Sequence, residues 1–106
     1  MNEYRCIDVN EACELIDQGA QVVDIRDQSS FREQHIEGAT QLNSLNLPDY
    51  LAQADLDQPL IVCCYHGISS QPAAAYLAQQ GFEQVYSLDG GFEAWQAQCP
   101  ERCSRG

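Results

Sequence analysis

The run Leu60-Ile61-Val62-Cys63-Cys64-Tyr65-His66-Gly67-Ile68-Ser69-Ser70 joins a predicted strand to a predicted helix. Its first residues are apolar and indicate a buried strand, and residues 71–80 have the pattern of a helix. The loop between these elements holds one glycine and two hydroxyl side chains. Cys64 therefore lies at the end of a strand and opposite a helix N-terminus, where backbone N–H groups and the helix dipole stabilise a thiolate.

Strands and helices alternate along the rest of the chain. Strands are predicted at residues 5–8, 21–25, 40–43, 60–63 and 84–88. Helices are predicted at residues 10–18, from 29 or 30 to 34, and at 46–54, 71–80 and 92–98. Such alternation is typical of βαβ units around a parallel sheet. We therefore predict one α/β domain over residues 1–106, with a mostly parallel central sheet and helices on both faces; a flexible tail is one interpretation of residues 99–106.

Local signals predict where the first helices begin. Asn10 is the predicted N-cap of the first helix, and Ser29 or Ser30 is the predicted N-cap of the second. Each has a short polar side chain that accepts a hydrogen bond from a free backbone N–H of the first turn.

The composition restricts the classes of partner. The chain has 106 residues and a net charge of −11, with sixteen acidic residues against five basic ones, all of them arginine. This balance argues against nucleic acid and against anionic membranes as partners. An anionic substrate would need a local positive site to overcome the long-range repulsion.

Six cysteines raise the question of the redox compartment. Residues 1–8 lack the basic and apolar regions of a signal peptide, and no apolar run approaches the ~20 residues of a membrane helix. We therefore expect reduced thiols in a cytoplasmic protein. Cys63 should face away from its neighbour Cys64, into the packing of the sheet. Cys99 and Cys103 would bind a metal, resolve a persulfide as a dithiol, or stay as two reduced tail thiols, and the last reading is favoured.

Three segments, in this order, resemble the single-domain rhodanese family. They are Val22-Val23-Asp24-Ile25-Arg26 with Phe31 and His35-Ile36-Glu37-Gly38-Ala39; Cys64-Tyr65-His66-Gly67-Ile68-Ser69-Ser70; and Val85-Tyr86-Ser87-Leu88-Asp89-Gly90-Gly91-Phe92-Glu93-Ala94-Trp95. Together they cover nearly the whole chain. The resemblance implies a rhodanese-like domain whose cysteine takes the outer sulfur of thiosulfate as a persulfide. A thiophilic acceptor, such as cyanide or reduced thioredoxin, then removes the transferred sulfur. The resemblance implies a covalent persulfide intermediate, with no cofactor and no metal.

In this interpretation Cys64 is the nucleophile, and the alternative is a buried structural thiol. The loop that binds substrate and persulfide consists of Tyr65, His66, Gly67, Ile68, Ser69 and Ser70. Successive backbone N–H groups in such a loop form an anion-binding nest. Gly67 is predicted to adopt a conformation closed to residues with a Cβ. Ser69 and Ser70 are predicted to donate hydroxyl hydrogen bonds or to cap the helix.

Other residues of the three segments have a structural interpretation. Arg26 is expected to form an internal ion pair, with Asp24 or a nearby acid, rather than to attract substrate. His35 is expected to pack or to satisfy a turn, and Phe92 and Trp95 are expected in the core. The chain departs from relatives by carrying the apolar Ile68 in the loop and Gln71-Pro72 where a lysine often follows. These departures bear on substrate range more than on the chemistry.

Three alternatives to this activity remain at the level of sequence. A phosphatase or arsenate reductase of the same fold needs an arginine at the end of the loop, and none is present between Arg32 and Arg102. A non-catalytic binding module usually loses the cysteine. A persulfide carrier, charged by a partner enzyme instead of by thiosulfate, is compatible with every residue of the loop.

Overall fold

The computed structural model describes residues 3–106. The strands of this part of the chain are β1 (Tyr4–Ile7), β2 (Gln21–Asp24), β3 (His35–Ile36), β4 (Thr40–Gln41), β5 (Leu60–Cys63), β6 (Val85–Leu88) and β7 (Cys103–Ser104). The helices are α1 (Val9–Asp17), α2 (Gln28–Glu33), α3 (Leu47–Gln53), α4 (Ser70–Gln79) and α5 (Gly91–Gln98). Within these residues, no helix has the length and apolarity that crossing a bilayer requires.

Five strands form the central sheet in the order β1-β6-β5-β2-β4, and every neighbouring pair is parallel. The predicted parallel α/β architecture is therefore confirmed. β5 lies in the middle of the sheet, between β6 and β2, and all of its residues are buried. The carboxyl end of a central parallel strand is where ligands of such sheets bind, and Cys64 directly follows β5.

Side chains of the central strands alternate between two apolar clusters, one on each face of the sheet. On one face Ile61 and Cys63 pack with Trp95 of α5 and Ala12 of α1. On the other face Val62 and its neighbours pack against α3 and α4. The sheet is thus covered by helices on both faces. This was expected, because its central strands are apolar at successive positions, as strands buried on both sides are.

The structure corrects both predicted helix caps. α1 begins one residue before Asn10, and its N-cap is Asp8, whose carboxylate accepts a hydrogen bond from the Glu11 N–H at 2.8 Å. The N-cap of α2 is Asp27, which accepts from the Ser30 N–H at 3.1 Å. Aspartate is as good an N-cap as asparagine or serine, so the choice between adjacent polar residues depends on the backbone geometry of each turn.

Residues 99–106, for which a flexible tail was one interpretation, contact the rest of the domain. A 3-10 turn at Pro100–Arg102 leads into β7, which pairs antiparallel with β3. The Gly106 N–H also donates to the Arg32 carbonyl at 2.8 Å. β3 and β7 were absent from the predicted strands, and neither of these two-residue segments has an alternating apolar pattern.

Candidate active site

Cys64 lies at the bottom of a cavity at the carboxyl edge of the sheet. Its exposed fraction is 4%, and the cavity has a volume of about 380 Å³. The lining residues are Ile25, Arg26, Asp27, Cys64, Tyr65, His66, Ile68 and Ser69. The buried thiol thus lines a cavity whose volume exceeds that of a small anion.

Three polar groups surround the sulfur of Cys64. The backbone N–H groups of Gly67 and Ser70 each donate to Sγ at 3.2 Å. The thiol in turn donates to Ser70 Oγ at 3.2 Å. Because Ser70 is the first residue of α4, these donors belong to the loop and to the first turn of the helix. The predicted arrangement of a thiol at a helix N-terminus is therefore present.

These contacts change the acidity of the thiol. Burial is the largest single influence and raises the pKa of Cys64. The Ser70 hydroxyl and the backbone N–H groups of Ser70, Gly67 and His66 together outweigh it, so the pKa lies below the ordinary thiol value. Hydrogen bonds to the charged form favour that form, and the site holds Cys64 as a more available thiolate.

Ser87 is a residue of the site that the sequence interpretation missed. Its hydroxyl oxygen lies 2.7 Å from Ser70 Oγ, and both serines are completely buried. Cys64, Ser70 and Ser87 therefore form a continuous polar chain from the sulfur into the sheet. The available signal was a hydroxyl residue at an inward position of the otherwise apolar strand β6.

Two glycines permit the loop to approach the start of α5. Gly67 has φ +82, which confirms its predicted conformation, and a Cβ there would lie 2.7 Å from the Gly90 nitrogen. Gly91 has φ +58, and a Cβ there would lie 2.4 Å from the Cys64 carbonyl oxygen. This close contact allows the Phe92 N–H to donate to the Cys64 carbonyl at 2.7 Å. The first turn of α5 thus holds the backbone of the nucleophile candidate.

Gln71 is the second residue of α4 and contacts the loop. Its side-chain nitrogen donates to the Gly67 carbonyl at 2.9 Å, and its side-chain oxygen accepts from the Tyr4 hydroxyl at 3.2 Å. Gln71 therefore supports the conformation of the loop without adding charge to the site.

The remaining loop side chains point away from the sulfur. The Tyr65 hydroxyl donates to the Asp27 carboxylate at 2.6 Å and also contacts the Ser30 hydroxyl. His66 Nδ1 lies 3.6 Å from a Glu93 carboxylate oxygen on the surface. Ile68 is 73% exposed, and Ser69 is the N-cap of α4 without a side-chain capping bond. The backbone of this segment faces Cys64, whereas its side chains form the rim of the cavity.

Arg26 has the predicted structural role. Its guanidinium donates to the Asp24 carboxylate at 2.7 Å, and both side chains are buried. It also donates to the Gln34 carbonyl at 2.7 Å and lies 4.2 Å from the centre of the Phe92 ring. The charge of Arg26 is thus compensated inside the protein. His35 also packs as expected, with its ring stacked on Phe31 at 3.8 Å.

A second cavity, of about 570 Å³, shares Arg26 and Tyr65 with the first. Arg32 and Arg105 also line it, so three of the five arginines of an acidic chain meet there. In residues 3–106 neither Arg32 nor Arg105 has a side-chain ion pair. Glu33 also lines the cavity and Arg26 is paired with Asp24, so Arg32 and Arg105 are the source of any excess positive charge there. Arg105 was not predicted as part of it, because pairing of β7 with β3 brings it there.

The other cysteines lie outside the Cys64 cavity. Cys63 is completely buried on the opposite side of the strand, and burial raises its pKa well above the ordinary value. Cys6 is exposed, and Cys13, Cys99 and Cys103 are partly exposed free thiols. Within residues 3–106 no group of three or more potential ligands has the geometry of a metal site.

Comparison with known families accounts for this arrangement. The profile of the rhodanese-like domain matches residues 8–98. The chain belongs to the rhodanese-like domain family. It is 56% identical, over its full length and 97% of the relative, to a protein named thiosulfate sulfurtransferase GlpE from Ectopseudomonas mendocina (strain ymp). It is 53% identical to the protein of the same name from Pseudomonas fluorescens (strain SBW25), with the same coverage.

Solved structures of the rhodanese family share the fold. A rhodanese-like domain from Anabaena has a TM-score of 0.81 at 23% identity, over 95% of this chain and 79% of that one. A yeast protein tyrosine phosphatase of the rhodanese family has a TM-score of 0.70 at 20% identity, over 98% of this chain and 94% of that one. The loop of this rhodanese has no arginine to hold a phosphate bidentately, so the likeness to the phosphatase extends to the fold alone.

Proposed function

We propose that this rhodanese is a thiosulfate sulfurtransferase with Cys64 as its nucleophile. The observation that carries the proposal is the set of N–H and hydroxyl groups around a thiol of lowered pKa at the bottom of an open cavity. The relatives named thiosulfate sulfurtransferase support the choice of donor.

In the first step, the Cys64 thiolate attacks the outer sulfur of thiosulfate. A bond forms between Sγ and that sulfur, the sulfur–sulfur bond of thiosulfate breaks, and its electron pair leaves with sulfite. The two negative charges of the leaving group depart from the cavity, and the transferred sulfur keeps one as a persulfide anion. Total charge is conserved, and the reaction requires no cofactor or metal.

The loop suits the anionic persulfide as well as the thiolate. The N–H groups of Gly67 and Ser70 donate to Sγ at the N-terminus of a ten-residue helix. Ser70 Oγ accepts from the thiol, and its hydroxyl donates to Sγ once the thiol has lost its proton. Donors fixed before the reaction stabilise negative charge without reorganising, so the same groups serve both states. The buried serine pair provides this fixation, because Ser87 restricts the orientation of the Ser70 hydroxyl.

In the second step, a thiophilic acceptor attacks the outer sulfur of the persulfide. Cyanide would leave as thiocyanate and restore the Cys64 thiolate. A dithiol such as reduced thioredoxin would take the sulfur on one thiol, and its second thiol would then close a disulfide and release hydrogen sulfide. The exposed Ile68 and the half-exposed Tyr65 form an apolar rim that supports a protein acceptor.

The cavity with Arg32 and Arg105 supports attraction of an anionic donor. The net charge of −11 repels thiosulfate at long range, while uncompensated arginines beside the Cys64 cavity oppose that repulsion locally. Their effect should depend on ionic strength, because exposed charges are screened by salt.

The decisive experiment measures intact mass after the reduced protein is incubated with thiosulfate. A gain of one sulfur atom is expected for the wild type and for the control variant Cys6→Ser, and no gain is expected for Cys64→Ser. Absence of the gain in the wild type would exclude thiosulfate as donor and favour a carrier charged by a partner. Persistence of the gain in Cys64→Ser would place the reaction on another cysteine.

A further inference from the structure

Two thiols on the helices far from the site lie in contact with each other. Cys13 Sγ of α1 and Cys99 Sγ, just after α5, are 3.6 Å apart although 86 positions separate them in the chain. Cys99 follows the C-terminal end of α5, whereas the N-terminal end of that helix contacts Cys64. The two ends of an eight-residue helix are about 12 Å apart, so the pair is separate from the site of sulfur transfer.

We infer that Cys13 and Cys99 form a redox modification site that is oxidised to a disulfide joining α1 to the end of α5. A disulfide bond is about 2.05 Å long, so the sulfurs must approach by roughly 1.5 Å, which side-chain rotation can provide. Both thiols are partly exposed and therefore accessible to a small oxidant. Cys99 is the C-cap residue of α5, so it lies after the last helical residue.

The structure selects this pair over the neighbouring thiol. Cys103 is close in sequence to Cys99, but its Sγ donates to the Cys99 carbonyl oxygen at 3.7 Å instead of facing the other sulfur. The sequence offered Cys99 and Cys103 as one possible dithiol, because they are only four positions apart in the chain. Packing of α1 against α5 instead brings Cys13 to Cys99.

The reaction partner is a low-molecular-mass disulfide. A thiolate of the pair attacks one sulfur of that disulfide, breaks its bond and releases one thiolate, which leaves a mixed disulfide on the protein. The second cysteine then attacks the protein sulfur and releases the other thiolate. Two cysteines are oxidised by two electrons in total, and the small disulfide is reduced to two thiols.

The disulfide would link α1 covalently to α5, the helix whose first turn contacts the Cys64 loop. Phe92 and Glu93, in the first turn of α5, donate to the carbonyl oxygens of Cys64 and Tyr65. A disulfide between two cysteines that are 86 positions apart closes a long loop and restricts the unfolded state. The midpoint of thermal unfolding should therefore rise. The loop that holds Cys64 should therefore withstand heating better in the oxidised protein.

The test treats the full chain in a Cys64→Ser background, so that the thiol of the site does not react. The probe is oxidised glutathione, and intact mass is measured before and after treatment with dithiothreitol. The expected product has lost two hydrogen atoms and carries no glutathione. It should be absent when Cys13→Ser or Cys99→Ser is added and present when Cys6→Ser or Cys103→Ser is added. The thermal midpoint should rise by about 5 °C or more on oxidation and return on reduction.

Several outcomes would overturn the inference. A stable glutathione adduct without loss of two hydrogens would mean that the thiols do not reach each other. Loss of two hydrogens that survives Cys13→Ser would assign the disulfide to another pair, with Cys103 the first candidate. Because a serine substitution at a packed position can disturb folding, Cys13→Ala and Cys99→Ala with unchanged circular dichroism must repeat the result.

Discussion

The hydroxyl oxygens of Ser70 and Ser87 lie 2.7 Å apart inside the protein, and Ser70 Oγ is also 3.2 Å from Cys64 Sγ. The chain of hydroxyls connects the candidate nucleophile, the first turn of α4 and the interior face of β6. Burial raises the pKa of Cys64, and the Ser70 hydroxyl, together with the backbone N–H groups of Ser70, Gly67 and His66, lowers it below the ordinary value.

Substitution Ser70→Ala should reduce sulfur transfer at neutral pH by roughly 10- to 100-fold, since a hydrogen bond to a charged group contributes about 1.5–3 kcal/mol. The Ser70 hydroxyl lowers the pKa of Cys64, so its removal should shift the rising limb of the pH–rate profile to higher pH. The defect should be largest at low pH and shrink as pH rises. The exposed Ser29→Ala is the matched control, and an unshifted profile in Ser70→Ala would contradict the assigned role.

Substitution Ser87→Ala should shift the same profile in the same direction by a smaller amount. Ser87 does not contact Sγ and acts by orienting the Ser70 hydroxyl. The free energy of unfolding should also fall by about 1 kcal/mol, the typical contribution of one hydrogen bond. Thermal unfolding and pH–rate measurements on one preparation separate the two effects. Lower stability with an unmoved profile would make Ser87 a packing residue only.

Substitution Gly91→Ala should displace the loop and reduce activity more than tenfold. The added Cβ would lie 2.4 Å from the Cys64 carbonyl oxygen, in a residue with φ +58. Gly38→Ala is the control, because its φ is +84 but a Cβ there meets nothing within 4 Å. The free energy of unfolding of that control should fall only by the ~1–2 kcal/mol that a left-handed conformation costs. Its activity should be unchanged. Equal activity losses in the two variants would refute the close-contact explanation.

Substitution Tyr65→Phe should raise the pKa of Asp27 toward its ordinary value. The Tyr65 hydroxyl is the main cause that lowers this pKa from 3.8 to about 2, followed by Ser30. In the wild type, the associated stabilisation is therefore complete above about pH 4 and is lost as pH falls through about 2. Carbon-detected NMR titration of the Asp27 carboxyl measures both proteins. An unchanged titration in Tyr65→Phe would show that Ser30 alone holds the carboxylate.

Substitution Arg105→Ala should raise the KM for thiosulfate by roughly 2- to 5-fold at low ionic strength, with little effect on kcat. The difference should disappear at high salt, because exposed charges are screened. Arg5→Ala removes the same charge from an exposed position on β1 and is the control. An equal effect of both substitutions would mean that net charge matters and the position of Arg105 does not.

Much of this protein follows from patterns that are local in the chain. Apolar runs at successive positions predicted strands covered on both faces, and the segment after β5 predicted a thiol at a helix N-terminus. The Asp24–Arg26 ion pair and the positive φ of Gly67 were also predictable, since each depends on residues only a few positions apart. Short-range geometry limits what such residues can contact, so the sequence alone is sufficient there.

Contacts between distant segments required the folded chain. Ser87 reaches Ser70 across 17 positions, and Cys99 reaches Cys13 across 86. Arg105 joins Arg32 because two strands of two residues pair, although neither strand has a periodic pattern. Each of these residues is unremarkable among its chain neighbours, and its role arises from which surfaces pack together. That choice depends on the burial of the whole apolar core, a property that no single segment contains.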